Sequence, residues 1–204
     1  PRFRDVIPFS AETIFERIER LTSGDENSAD EMLIGESIPR IQERVAELSS
    51  LSLEAALRQL LEHTSGYNGD RLEAISGRFG WGGERPLTLE EAGKSIGVTR
   101  ERLRQLEKAV LARMPTHDIF LPALDQALET LEVLSPIPCA AASQQLRMQG
   151  ITSGTFPIDC ILRIAQDFGR PEALAIRQTA QGPLLIARAG VEQLGKAADL
   201  ARRI

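Results

Sequence analysis

The sequence predicts a mainly α-helical protein in three parts: an N-terminal helical region (1–68), a helix-turn-helix (69–115), and a winged-helix-like unit with a short β-hairpin (116–204) that runs into a last helix. Three observations carry that prediction. Aromatic residues make up only 4% of a chain that is 42% hydrophobic, so Leu, Ile and Ala must fill the core, which favours packed helices over an aromatic-rich β-sandwich. Two short capped helices meet at a tight turn containing Gly97, the sequence form of a helix-turn-helix. Further along, three helical patterns are followed by two apolar runs around Gln181-Gly182-Pro183, which read as three helices and a hairpin.

The N-terminal helices come first. "SAETIFERIERL" is capped by Ser10 and places Ile14, Phe15, Ile18 and Leu21 at helical spacing before the polar loop "TSGDENSAD". "IPRIQERVAEL" repeats the pattern with Ile38, Ile41, Val45 and Leu48, and "SLEAALRQLLEH" is a third helix capped by Ser52 and stopped near Gly66. The acidic residues of this region read as solvated faces, and no chemistry is assigned to them.

From Asp70 the texture changes. "DRLEAISGRFG" is a short helix that turns Leu72, Ile75 and Phe79 inward, and "GWGGERP" is a Gly-rich loop without the G-K-[ST] sequence of a phosphate-binding loop. Trp81 in that loop is expected to cover the edge of the core, with stacking on a base as the alternative. Thr88 with Glu91 forms a capping box, so the next helix starts at Leu89. Gly97 stops it and Thr99 caps its successor. Leu89, Ala92 and Ile96 line the first of these helices, Val98 sits in the turn, and Leu103, Leu106, Val110 and Met114 line the second. Ala92 and Gly93 are small where the two come closest.

The C-terminal unit follows. "LPALDQALETLEVL" is a helix after Pro122, "PCAAASQQLRMQG" a second, and "PIDCILRIAQDFG" a third, with Pro157 near its start and Gly169 at its end. The third exposes Asp159, Arg163, Gln166 and Asp167, a mixed and not a basic face. "GVEQLGKAADLARRI" reads as a helix up to the last residue without a stop signal, and with no initiator Met the chain is expected to be a fragment of a longer protein.

Composition excludes several classes. No apolar run is long enough to cross a bilayer and "PRFRDVIPFS" has no signal-peptide core, so a cytoplasmic protein is expected, with no membrane partner. Cys139 and Cys160 form no CxxC pair and are expected to be small buried apolar residues. His63 and His117 are isolated from any nucleophile pattern. No metal, cofactor or enzymatic constellation is expected in this chain, although catalytic domains of a longer protein would lie outside it.

The net charge of −5 argues against a chain that coats nucleic acid, but its distribution is uneven. Residues 1–70 hold seven basic against fourteen acidic residues, residues 71–114 nine against six, and residues 115–204 eight against nine. The positive charge is concentrated on the helix after Thr99. With the apolar stripe turned inward, its outward face holds Arg100, Glu101, Arg104, Gln105 and Lys108, and Arg102 lies on the flank. Cations in the first turn of a helix oppose its macrodipole, so a polyanion docked at that end is the natural reason for them. The residue types agree: Arg pairs bidentately with guanine, Gln with adenine, Glu accepts from cytosine N4, and the remaining cations hold phosphates.

The stretch "RFGWGGERPLTLEEAGKSIGVTRERLRQLEKAVLARM" also resembles the C-terminal DNA-binding region of bacterial housekeeping-type sigma factors, region four, which binds the upstream, minus-thirty-five promoter element. The resemblance covers Asp70 to about Met114. It implies that Arg100, Glu101 and Gln105 contact bases and that Arg102, Arg104 and Lys108 bear on the backbone. The aromatic-rich, promoter-opening segment of sigma factors has no counterpart in residues 1–69, and about ninety residues follow where the family ends. The expected function is therefore binding of double-stranded DNA, by a regulator or by the DNA-binding portion of a larger protein, with RNA polymerase or other protein subunits as further partners. The alternative is a scaffolding portion of a larger DNA-metabolism or phage-defence machine whose helix-turn-helix does not read sequence.

Overall fold

The computed structural model describes residues 42–114 and 119–188, so the first predicted helix, Ile38, Ile41, His117 and the predicted last helix lie outside the described residues. Residues 42–49 are helical, as the second N-terminal pattern requires. Helix α1 (Leu53–Ser65) begins where the Ser52 side chain accepts the Ala55 N–H and ends at Gly66, whose φ of 69° sends the chain into the left-handed region. Its buried stripe of Leu53, Leu57, Leu60 and Leu61 faces the rest of the molecule.

Helix α2 (Gly69–Phe79) buries Leu72 and Ile75 and leads through the Gly-rich loop to α3 (Leu89–Ser95) and α4 (Arg100–Leu111). The second unit starts with α5 (Pro122–Leu134), with proline in its first turn, where a missing N–H leaves no helical bond unmade. It continues through strand β1 (Ile137–Pro138), α6 (Cys139–Met148) and α7 (Ile158–Asp167) to a hairpin of β2 (Leu174–Thr179) and β3 (Gly182–Ala187). The antiparallel sheet has the order β1-β3-β2, with Leu185 opposite both Ile137 and Ile176. Three helices closed by such a sheet make a winged-helix-like arrangement.

The structure corrects details of the sequence reading. The hairpin turns at Ala180 and Gln181, so of the expected Gln181-Gly182-Pro183 turn only Gln181 lies in it, and Gly182 and Pro183 belong to β3. Thr179 is the reason: its hydroxyl accepts from the Gln181 N–H (3.2 Å) and donates to the Gly182 carbonyl (2.7 Å), so a side chain supplies the turn's hydrogen bonds. Strand β1 was not expected; it is two residues long and reaches only Leu184 and Leu185, so Pro183 lies beyond it and its absent N–H breaks no pair with β1. Cys160 is buried, but Cys139 is only half-buried because it opens α6.

One hydrophobic core runs from Leu53 to Leu185 and takes in both units. Trp81 is 4% exposed and lies between Phe79 (ring centroids 5.0 Å apart) and Phe168 (5.7 Å), so the loop of the first unit is wedged against the last turn of α7. Glu54, taken from the sequence as part of a solvated face, instead accepts the Ser153 N–H (2.9 and 3.0 Å) and the Gly154 N–H (3.1 Å). The neighbouring Leu53 N–H donates to the Ile151 carbonyl (2.8 Å), so the start of α1 clasps the loop before α7. Within the C-terminal unit, Arg170 donates to both carboxylate oxygens of Asp125 (2.8 and 3.1 Å) and to the Ile119 carbonyl (2.7 Å), closing the unit on itself. Among the described residues, no helix is long and apolar enough to cross a membrane, and no group of His, Cys, Asp and Glu could hold a metal ion.

Candidate nucleic-acid interface

The geometry of α4 is fixed by local bonds legible in the sequence. Thr88 Oγ1 accepts the Glu91 N–H (3.1 Å) while Glu91 accepts the Thr88 N–H (2.7 Å), the reciprocal pair of a capping box. Arg85 donates to the same carboxylate at 2.7 Å, and together these bonds hold Glu91 well below the usual carboxylate range, at about 2. Helix α3 ends at Ser95, and Gly97 follows with φ 68°, which reverses the chain at no side-chain cost. Gly93 is where the two helices meet: it accepts the Val98 N–H (2.9 Å), and a Cβ on it would stand 2.9 Å from the Val98 carbonyl oxygen. Thr99 then starts α4, its hydroxyl accepting the Arg102 N–H at 3.2 Å.

Burial of Leu103, Leu106 and Val110 sets the rotation of α4 about its axis. A second restraint was invisible in the sequence. Arg78 of α2 pairs with Glu107 on the flank of α4 (3.4 Å) and donates to the Leu87 carbonyl (3.2 Å), bracing the helix from a position 29 residues away.

All six candidate residues, Arg100, Glu101, Arg102, Arg104, Gln105 and Lys108, are exposed on this one helix. They are not independent of one another. The two carboxylate oxygens of Glu101 take the Nε and Nη2 hydrogens of Arg104 at 2.9 and 2.8 Å, and Arg102 Nη1 donates to Gln105 Oε1 at 3.2 Å. The Arg104 guanidinium holds Glu101 below its ordinary pKa, and the carboxylate raises Arg104 in turn. Arg100 and Lys108 form no such side-chain pair among the described residues.

The other exposed features are weaker. Trp81 is a core residue, so its surface is not offered to a base. On α7 the exposed Arg163 is flanked by Asp159 and Asp167 and donates to Cys160 Sγ (3.3 Å). An open groove of about 500 Å³ beside it, between α5, α7 and β2, has an apolar floor of Leu128, Leu162 and Ile176 and a rim of both charges.

Comparison with known proteins agrees with this geometry. No solved structure matches the chain. Residues 71–114 match the family model described as Sigma-70, region 4. The match starts within α2 and ends just beyond α4, and the segment from Arg71 to Met114 is a sigma region-four-like helix-turn-helix.

Proposed function

We propose that the chain binds double-stranded DNA and reads its sequence through α4 laid in the major groove. The observation that carries this reading is the exposed face of α4, where Arg100, Arg102, Arg104 and Lys108 surround Glu101 and Gln105 on a helix held by a buried stripe and a fixed turn. Such a helix combines phosphate anchors with side chains able to distinguish base edges. The region-four match supports the same role, since that module is a DNA-binding helix-turn-helix. The proposed output is occupancy of a duplex, and no catalytic step is assigned to these residues.

Selection of bound sequences from a random duplex pool at moderate salt tests the proposal. The expected result is an enriched motif whose affinity falls steeply with salt, as phosphate contacts release counterions. A folded protein that enriches nothing would overturn sequence reading. It would move the helix-turn-helix to the role of a protein-contact surface in a larger assembly.

A further inference from the structure

Each acceptor on the α4 face is already engaged by an arginine of the same helix. Glu101 gives both oxygens to the Nε and Nη2 edge of Arg104, and Gln105 gives its carbonyl to Arg102. Among the donors this face offers outward are the Nη1 and outer Nη2 hydrogens of Arg104 and the Arg100 guanidinium, whereas the Gln105 amide itself helps hold Glu101. In the major groove, paired acceptors at the spacing of a guanidinium edge are N7 and O6 of guanine. Glu101 accepting from cytosine, or Gln105 pairing bidentately with adenine, would have to share oxygens that already hold an arginine.

We infer that Glu101 is a positioning residue that acts on DNA through Arg104, presenting the free edge of that guanidinium to guanine. The inference rests on the DNA-reading role proposed above and assigns Arg104 to a base edge, where the family resemblance implied a backbone contact. It also accounts for a carboxylate on a face turned towards a polyanion: an unpaired Glu101 would be repelled by phosphates, whereas one held by Arg104 is neutralised. At 59% side-chain exposure the pair is weak in water, but it strengthens where a docked duplex displaces solvent. The Arg104 guanidinium lowers the Glu101 pKa, so the pair persists further into acid than a free glutamate would stay charged.

The experiment is pool selection with the wild type, Glu101→Ala, Arg104→Ala and the double variant, each checked for helical content. Wild type is expected to enrich a motif with a G·C pair whose identity Arg104→Ala relaxes by about five- to a hundredfold. Glu101→Ala should relax the same position by a smaller factor, about two- to fivefold, and in the Arg104→Ala background should leave base preference unchanged, altering only the general affinity as the unpaired charge is removed. Replacing that guanine by 7-deazaguanine removes the N7 acceptor and should weaken the wild type but not Arg104→Ala. If Glu101→Ala relaxes a position that Arg104→Ala leaves intact, or still changes base preference in the double variant, the carboxylate reads a base directly and the inference is overturned. A folded wild type with no enriched motif would instead overturn the DNA-reading role itself, and this inference with it.

Discussion

Helices α4 and α7 are each the last helix described in a small helical unit, and both are anchored by an inward stripe: Leu103, Leu106 and Val110 in one, Ile158, Ile161 and Ile164 in the other. Their outward faces differ. Four cations surround a single exposed acid, Glu101, on α4, whereas on α7 Arg163 sits among Asp159, Gln166 and Asp167. The fold supplies the presentation of a helix in both cases. Only the side chains decide what each can bind, so the winged-helix arrangement by itself assigns no DNA contact to α7.

The strongest way to break this comparison is to separate the two units. Trp81→Ala removes the side chain wedged between Phe79 and Phe168 and should lower stability by about 3–5 kcal/mol, measured by chemical denaturation. A loss below about 1 kcal/mol would mean that the wedge is not a structural bond between the units.

Next come two glycines, one inside α3 and one in a turn. Gly93→Ala drives a Cβ to 2.9 Å from a backbone oxygen that cannot swing away, and should destabilise by about 2–3 kcal/mol. Gly150, in the turn after α6, has φ 74° but open space around it, so Gly150→Ala should cause only about 1 kcal/mol of backbone strain. Thermal melts of the two variants should rank in that order, and the reverse ranking would show that α3 and α4 are not closely apposed.

Charge reversal sharpens the functional side of the comparison. Arg104→Glu should lower duplex affinity by roughly tenfold or more, and Arg163→Glu by less than about twofold. Equal losses would bring α7 into the interface. On α4 itself, Lys108→Ala should weaken all duplexes alike and reduce the salt slope by about 0.9, the signature of one lost phosphate contact.

The smallest effects are those of pH, and they have opposite signs in the two units. Glu91 is depressed to about 2 by Arg85 and the Thr88 cap, so its contribution to stability is complete above its unfolded value near 4.5 and is lost as pH falls through about 2. The stability difference between wild type and Glu91→Gln should therefore shrink on acidification. Although Asp167 is an exposed residue, partial desolvation of its carboxyl raises its pKa in spite of Arg163, so its protonated form favours the fold. Asp167→Asn should be slightly more stable than wild type at neutral pH, and that advantage should disappear below the ordinary aspartate range near 3.8. Parallel pH profiles for the two variants would contradict this assignment.

What was legible in the sequence was local. Ser52, Thr88 with Glu91, Gly97 and Thr99 act within a few residues of themselves, and each cap or turn stands where the pattern put it. The rotation of α4 was legible as well, because a stripe spaced at three and four residues leaves one outward face. The other features depend on distance in the chain. Nothing near Trp81 announces Phe168, nothing near Glu54 announces the Ser153 amide, and Arg78 gives no sign of Glu107. Strand β1 is too short to show alternation, and Thr179 draws the turn back from the expected Gln181-Gly182-Pro183. On the face itself the six residues were visible but their pairing was not, since residue type alone does not reveal that Glu101 and Gln105 are held by their own neighbours.

The clasp between the units has a consequence for spacing. Because Trp81 is seated against Phe168 and Glu54 grips the 153–154 loop, the C-terminal unit turns with α4 as a handle turns with its blade. A duplex completes a turn in about 10–10.5 base pairs. With α4 in the groove, a site moved by half a turn carries the α5–α7–β2 groove to the opposite side of the duplex, and a site moved by a full turn restores its bearing. Under the proposed DNA-reading role, what the C-terminal unit meets along the duplex is set by helical phase as well as by distance.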